Sequence, residues 1–216
     1  MNILAPSLLA ANFANLQQDI TLLEQSGITH LHIDVMDGQL VPNISIGIPV
    51  IESLRPITNM VFDCHLMILQ PSKYIAAFAN AGADIITFHA DVAEDIEQNL
   101  AQIKKTGKKA GLVINAHIAP EIAKPYLKQI DMVTIMSVQA GFGGQKFMPN
   151  SLEKISYFAR QKKELNLAYD IQVDGGINLQ NVEQILTTGA NIIVAGSSVF
   201  NTKDIAATIS NFKRYL

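Results

Sequence analysis

Eight short runs rich in β-branched apolar residues recur along the chain, and longer amphipathic stretches separate most of them. The runs have the length and residue content of buried strands, and the intervening stretches repeat apolar residues at helical spacing. Strands that alternate with helices predict βαβ units and therefore a parallel sheet. The predicted strands are Ile3–Pro6, His30–Val35, Met60–Met67, Ile85–His89, Ala110–Asn115, Met132–Val138, Tyr169–Asp174 and Ile192–Ala195.

Helical periodicity is clear in seven of the stretches between or after the strands, and Gly47–Leu54 is a weaker candidate. Glycine follows several of these stretches, as at Gly27, Gly82 and Gly189, where a left-handed residue commonly ends a helix. The predicted helices are Asn12–Gln25, Ser72–Ala81, Ala93–Lys104, Pro120–Leu127, Ser151–Leu165, Asn178–Thr188 and Thr202–Tyr215.

Eight strand–helix units favour a closed (β/α)8 barrel of the TIM type over an open, doubly wound sheet. No G-x-G-x-x-G sequence follows the first strand and no G-x-x-x-x-G-K-[ST] sequence occurs, so the two common nucleotide-binding forms of the open sheet lack support. No linker or composition break interrupts the series. The prediction is a single α/β domain over residues 1–216 with a parallel eight-stranded core.

Composition excludes several classes of protein and partner. Hydrophobic residues make up 49% of the chain and charged residues 16%, which excludes a disordered protein. The net charge of −3 makes a nucleic-acid partner unexpected, and the absence of a long apolar segment makes a membrane partner unexpected. The single cysteine, Cys64, cannot form an internal disulfide, and there is no signal peptide, so we expect a cytoplasmic protein.

Polar residues gather where three predicted strands end, at the edge where barrel enzymes place their active sites. Because side chains alternate between the two faces of a strand, His32 and Asp34 point into the barrel from the second strand. His65 on the third strand and Asp174 on the seventh point inward by the same rule. Histidine and carboxylate ligands suit a divalent transition metal, and four of them on one rim favour a metal site over a hydrogen-bonded cluster without metal.

Other polar residues near this rim have weaker claims to a role in chemistry. His89 ends the fourth strand and is a candidate wall of the site. His30 and Asp63 lie deeper and are interpreted as structural, with Asp63 a hydrogen-bonded core carboxylate. His117 follows the fifth strand and is interpreted as a loop residue.

Methionine occupies three inward strand-end positions, Met36, Met67 and Met136. One interpretation is adaptable filling of the core, for which methionine is well suited. The other is a polarizable wall, poor in water, around a carbanionic intermediate.

Glycine-rich segments follow the sixth, seventh and eighth strands. They contain Gly141-Phe142-Gly143-Gly144, Gly175-Gly176 and Gly196-Ser197. Backbone N–H groups in such loops can hold an anion, and barrels commonly bind phosphate at the last two of these positions. Any one glycine pair is also explained by the demands of a turn, but together on one rim they favour a phosphate site.

These residues resemble the ribulose-phosphate 3-epimerase family, and the resemblance covers almost the whole chain, from Ala5-Pro6-Ser7 to Gly196-Ser197-Ser198-Val199-Phe200. The motifs that carry it are His32-Ile33-Asp34-Val35-Met36-Asp37-Gly38, Cys64-His65-Leu66-Met67, Met136-Ser137-Val138, Gly141-Phe142-Gly143-Gly144-Gln145-Lys146-Phe147 and Val173-Asp174-Gly175-Gly176-Ile177.

The resemblance implies an isomerase of the pentose phosphate pathway that interconverts D-ribulose 5-phosphate and D-xylulose 5-phosphate through an ene-diolate. It implies a divalent transition metal (Zn, Fe, Mn or Co) held by His32, Asp34, His65 and Asp174. In that family Asp34 and Asp174 act as acid and base, Ser7 contacts the substrate, and the chain forms a homo-oligomer, either a dimer or a hexamer. The predicted substrate contacts are Ser7, His65, Gly141, Phe142, Gly143, Gly144, Asp174, Gly175, Gly176, Gly196 and Ser197.

Two positions depart from the family pattern and leave the exact sugar open. Gln139-Ala140 and Asn115-Ala116 each stand where the family usually has Asn-Pro. A related family that inverts C3 of D-allulose 6-phosphate is the main alternative, and a metal-dependent hydrolase or a non-catalytic sugar-phosphate binding protein fits less well. A Schiff-base aldolase is disfavoured because no lysine occupies an inward strand end.

Overall fold

Eight parallel strands form a barrel in the computed structural model, which describes residues 2–93 and 95–216. Each strand pairs with its sequence neighbour from β2 to β8, β8 pairs with β1, and a parallel bridge between Ser7 and His32 joins β1 to β2. The predicted (β/α)8 TIM barrel is confirmed. The strands are β1 Ile3–Pro6, β2 His30–Met36, β3 Val61–Met67, β4 Ile85–His89, β5 Lys109–Ile114, β6 Met132–Met136, β7 Asp170–Asp174 and β8 Ile192–Ala195.

Helices cover the outside of the barrel. The α-helices are α1 Leu16–Gln25, α2 Ile48–Leu54, α3 Ile75–Ala81, α4 Ile96–Lys105, α5 Ser151–Glu164, α6 Val182–Thr188, α7 Ser197–Phe200 and α8 Ile205–Phe212. Short 3₁₀ helices span Leu8–Ala10, Arg55–Ile57, Pro71–Lys73 and Pro120–Tyr126. Among the described residues, no helix is both long enough and apolar enough to span a membrane.

Several predicted helices begin later than expected, because polar side chains bind the backbone ahead of them. Asn12 accepts a hydrogen bond from the backbone N–H of Ala14, so a turn precedes α1 where the helix was predicted to start at Asn12. Asp95 accepts from the N–H of Gln98 and begins α4, and Asp204 begins α8 in the same way. The predicted helix Pro120–Leu127 is a 3₁₀ helix instead, with Pro125 inside it.

The predicted alternation of side chains along the strands is confirmed by where they pack. Phe62, Cys64 and Leu66 of β3 belong to the large apolar cluster between strands and helices, and Ile171 and Val173 of β7 join them. The residues that alternate with these point into the barrel. The sequence pattern therefore positions the polar side chains at the inner rim.

Two smaller apolar clusters lie inside the barrel. The amino-end cluster contains Ala5, Ile85, Met132, Ile192 and Val194, and three of these are the first residues of the alternate strands β4, β6 and β8. The carboxyl-end cluster contains Met36, Val41, Met67, Val113, Met136, Val138 and Ala140. The polar residues of the candidate site lie between these two clusters.

Candidate active site

Two histidines and two aspartates from three strands converge at the carboxyl-terminal rim. One donor atom of each of His32, Asp34, His65 and Asp174 lies within 4.8 Å of the donor atoms of the other three. His32 and Asp34 come from β2, His65 from β3 and Asp174 from β7, so closure of the barrel brings together residues far apart in sequence. The structure thus assembles all four residues predicted to hold a metal.

The facing atoms of this group are suited to a cation. His32 Nε2 lies 3.3 Å from Asp34 Oδ1 and 3.7 Å from Asp174 Oδ2. His65 Nδ1 lies 3.2 Å from the same Asp34 oxygen and 3.7 Å from the same Asp174 oxygen. Both ring nitrogens are buried and neither has a hydrogen-bond partner within the described part of the chain. Two unpartnered imidazole nitrogens beside two carboxylate oxygens are a donor set that fits a divalent transition metal.

The electrostatics of the group favour a positive charge at this point. Burial lowers the pKa of His32, but Asp34 and Asp63 outweigh burial and raise the pKa well above its ordinary value. His65 shows the same balance, with Asp174 and Asp34 raising its pKa against burial. Burial works to raise the pKa of the Asp34 carboxyl, yet His32 and His65 hold that pKa far below its usual range. Asp34 is therefore ionised at neutral pH.

His89 lies behind the group and contacts His65. The two Nε2 atoms are 2.8 Å apart and the rings stack with centroids 5.0 Å apart. Burial and the neighbouring His65 lower the pKa of His89 well below its ordinary value, so this ring is neutral. His117 is exposed on a loop, as predicted.

Ser7 connects β1 to the catalytic candidates. Its hydroxyl donates a hydrogen bond to Asp34 Oδ2 over 2.6 Å, which leaves Asp34 Oδ1 facing the two histidines. The same hydroxyl oxygen accepts from the N–H of Leu9. Ser7 therefore orients one of the two carboxylates and also lines the cavity above it.

A cavity of about 290 Å³ opens above the four-residue group. Asp34, Asp174 and Ser7 line it, while His32 and His65 are fully buried and absent from its wall. Direct contact between His65 and a substrate therefore stays a prediction. The wall also contains the three inward methionines and the glycine-rich segments, namely Met36, Met67, Met136, Gly141, Phe142, Gly143, Gly144, Gly175, Gly176, Gly196 and Ser197.

Close approach of two glycine-rich segments shapes the upper part of this cavity. Gly176 has a φ of +66°, and a Cβ there would collide with the backbone nitrogen of Phe147. Gly175 has a φ of +118°, and a Cβ there would collide with the Val138 side chain. Side chains at these two positions would be strained and would push the two segments apart.

The structure also reveals polar contacts that the sequence reasoning missed. Gln145 Nε2 donates to the carbonyl oxygens of Gln139 and Phe142, over 2.6 Å and 2.8 Å, and so ties the first glycine-rich segment to itself. Gln172 and Thr134 form a buried hydrogen-bonded chain with Asp63 inside the barrel. Strand alternation places both residues inward, but no sequence signal pairs them with Asp63.

Comparison with known proteins is consistent with this geometry. Residues 3–200 match the sequence model of the ribulose-phosphate 3 epimerase family. The chain is 42% identical over 213 residues to the ribulose-phosphate 3-epimerase of Synechocystis, covering 98% of this chain and 93% of the relative. It is 42% identical over 214 residues to the enzyme of the same name from Bacillus subtilis, covering 97% of each chain.

Solved structures that share the fold are more distant in sequence. The 3-hexulose-6-phosphate synthase of Salmonella typhimurium superposes with a TM-score of 0.75 at 17% identity, covering 100% of this chain and 98% of the other. KGPDC from Streptococcus mutans superposes with a TM-score of 0.71 at 16% identity, covering 100% of this chain and 97% of the other. At this identity the likeness shows a shared barrel and nothing about chemistry.

Proposed function

The chain belongs to the ribulose-phosphate 3-epimerase family, and we propose that the two carboxylates and two histidines at its barrel rim carry out the epimerisation. The activity is the interconversion of D-ribulose 5-phosphate and D-xylulose 5-phosphate, in which the configuration at C3 is inverted. The observation that carries the assignment of residues is the convergence of four donor atoms within 4.8 Å, with both carboxylates on the wall of one cavity.

Inversion at C3 requires that one proton be removed and another returned to the opposite face. Asp34 and Asp174 reach the cavity from β2 and β7, which are separated by β1 and β8, and we expect a bound substrate to present one face to each carboxylate. One carboxylate accepts the C3 proton and the other, protonated, donates to the opposite face. The two residues exchange these roles when the reaction runs in reverse. In each direction, one carboxyl must therefore be ionised and the other protonated.

His32 and His65 complete a centre that would hold one divalent transition metal together with Asp34 and Asp174. When bound, such a metal supplies positive charge that stabilises the oxyanion of the ene-diolate. The histidine and carboxylate donors suit Zn, Fe, Mn or Co.

The three methionines and the glycine-rich segments would serve the rest of the substrate. Met36, Met67 and Met136 are almost fully buried and form an apolar wall beside the carboxylates, which excludes water from the reacting carbon. Backbone N–H groups of the glycine-rich segments would hold the phosphate at the other side of the cavity. A small sugar phosphate fits a cavity of about 290 Å³.

The test is hydrogen exchange at C3 in deuterated water, followed by proton NMR. We expect deuterium to enter C3 of D-ribulose 5-phosphate together with formation of D-xylulose 5-phosphate, and to enter D-allulose 6-phosphate much more slowly. Faster exchange with the allulose phosphate would identify that sugar as the substrate. Phosphate release without exchange at C3 would contradict an epimerase.

Two further expectations concern the oligomeric state and the cellular location of the enzyme. The chain is proposed to form a homo-oligomer, a dimer or a hexamer, which analytical ultracentrifugation would distinguish. A cytoplasmic location stays a prediction from the sequence, and the chloroplastic enzyme of Arabidopsis thaliana, 41% identical to this chain, shows that location varies among relatives.

A further inference from the structure

A chain of buried hydrogen bonds crosses the barrel interior and ends at one of the two histidines. The Thr134 hydroxyl donates to Gln172 Oε1 over 2.7 Å, and Gln172 Nε2 donates to Asp63 Oδ2 over 2.6 Å. His32 Nδ1 lies 2.7 Å from the same Asp63 oxygen. All four side chains are at most 1% exposed, and they come from β6, β7, β3 and β2.

The direction of each hydrogen bond in this chain follows from the chemistry of its members. The Thr134 hydroxyl gives its proton to the Gln172 carbonyl oxygen, which turns the Gln172 amide nitrogen toward Asp63. A carboxylate oxygen can only accept hydrogen bonds, so His32 must donate from Nδ1. The proton on Nδ1 leaves the lone pair of a neutral His32 ring on Nε2, the atom that faces Asp34 and Asp174.

Burial of these polar groups is not explained by the needs of the fold. A buried carboxylate is costly unless it is fully hydrogen-bonded, and apolar residues of similar size commonly stabilise as well or better. The amino-end cluster shows that the barrel interior can be filled by apolar side chains such as Ile85, Met132 and Ile192. Asp63 pairs in register with Ile85 and Gln172 with Ile192, so both replace apolar filling at the level of this cluster. The hydrogen bonds that they form lead to His32.

We propose that Asp63, held in place by Gln172 and Thr134, is a positioning residue that fixes the tautomer and the ring orientation of His32 for metal binding. The proposal rests on the proposed four-residue metal centre. It adds Asp63, Gln172 and Thr134 as residues that support one of its ligands from inside the barrel. Partners of this kind on metal-ligating histidines typically change metal affinity by roughly 10- to 100-fold when they are removed.

The barrel offers a matched pair of substitutions for the test. Thr134 and Thr87 are both fully buried threonines on inward-facing strand positions. Thr134 donates into the chain, whereas the Thr87 hydroxyl has no hydrogen-bond partner among the described residues. Thr134→Val and Thr87→Val are therefore the same chemical change, but only Thr134→Val removes a hydrogen bond from the series that ends at His32. Thr134→Ser keeps the hydroxyl donor.

The experiment measures the affinity of the metal-free protein for Zn²⁺ by competition with a chromophoric chelator. We expect Asp63→Asn to weaken Zn²⁺ binding by about 10- to 100-fold. Thr134→Val should weaken it by a few-fold, while Thr134→Ser and Thr87→Val bind like the wild type. A second readout is nitrogen-detected NMR of the Zn²⁺-loaded protein, in which the His32 Nδ1 proton should be present in the wild type and lost or shifted in Asp63→Asn.

The outcomes separate this inference from the proposed function. A wild-type protein that binds no stoichiometric Zn²⁺ would overturn the four-residue centre and the positioning role together. Stoichiometric binding by the wild type, with unchanged affinity in Asp63→Asn and Thr134→Val, would overturn the positioning role alone. If Asp63→Asn fails to fold, the threonine pair decides, and equal Zn²⁺ affinity in Thr134→Val and Thr87→Val would contradict the proposal.

Discussion

The two ends of the barrel interior follow the same alternation of inward side chains, but they differ in whether the buried polar atoms there have hydrogen-bond partners. At the amino-terminal end, apolar side chains of Ile85, Met132 and Ile192 fill the interior. Beside that end, the Arg55 guanidinium donates to Asp84 and to the carbonyl oxygens of Gly82, Thr58 and Met60, so both of its terminal nitrogens are fully hydrogen-bonded. At the carboxyl-terminal end, by contrast, His32 Nε2 and His65 Nδ1 are buried without hydrogen-bond partners among the described residues.

The same strands therefore contribute to stability at their amino-terminal ends and to chemistry at their carboxyl-terminal ends. Unpartnered buried polar atoms destabilise a fold, and they persist where a ligand or a reaction makes use of them. The amino-end cluster consists of apolar residues only, so its members are explained by packing. Substitutions at the two ends should therefore produce opposite patterns, with loss of activity at one and loss of stability at the other.

Removal of the metal should have the largest effect and should act only on the carboxyl-terminal end. We expect chelation to lower turnover by on the order of 10³-fold or more, because the charge that develops in the reaction loses its main stabilisation. Addition of Zn²⁺, Mn²⁺, Fe²⁺ or Co²⁺ should restore turnover, and far-UV circular dichroism should change little. Full turnover by protein shown to be metal-free by elemental analysis would contradict a metal-dependent reaction.

Asp174→Asn should come next in size, with epimerisation reduced by about 10²- to 10⁴-fold. Because Asp34 remains, one of the two epimers should still exchange its C3 proton with deuterated solvent. Metal content must be measured in the same variant, since Asp174 is also a proposed ligand. Exchange and epimerisation that fall by the same factor, at full metal content, would indicate a single base in place of two.

At the opposite end, Ile192→Ala should lower the free energy of unfolding by about 2–5 kcal/mol, the usual cost of such a truncation in a core. Ile192 is 1% exposed and belongs to the amino-end cluster. Chemical denaturation measures the loss, and turnover per folded molecule at room temperature should match the wild type. A large loss of turnover without a loss of stability would show that the two ends are not separable in this way.

The smallest effect comes from a matched pair on one strand, Met132→Leu and Met136→Leu. Both methionines lie on β6 and are nearly fully buried, but Met132 is in the amino-end cluster and Met136 lines the cavity. Each substitution nearly conserves volume and should change stability by less than about 1.5 kcal/mol. Only Met136→Leu should lower kcat, by a few-fold. Equal kcat values in the two variants would show that Met136 only fills the core.

The sequence predicts the barrel and the grouping of the four candidate metal ligands well, because both depend on local patterns. Strand alternation alone points His32, Asp34, His65 and Asp174 inward, and parallel strands bring their carboxyl ends to one rim. Helix starts are less predictable, since they depend on single side chains such as Asn12 and Asp95 that bind nearby backbone groups.

Contacts between distant residues are the part that the sequence does not predict. Gln172 lies 109 positions from Asp63, and nothing in either local pattern pairs them. The sequence therefore does not predict that Asp63 is the partner of His32, although it does predict that Asp63 is buried. The helix α7, at Ser197–Phe200, was also missed, because four residues are too few to show a helical period.

Anomalous diffraction from crystals of the active, metal-loaded enzyme tests the central claim most directly. We predict one metal peak per chain, bound at about 2.0–2.2 Å by His32 Nε2, His65 Nδ1 and one oxygen each of Asp34 and Asp174. A peak held by other residues, or no peak in crystals whose dissolved protein is fully active, would contradict it.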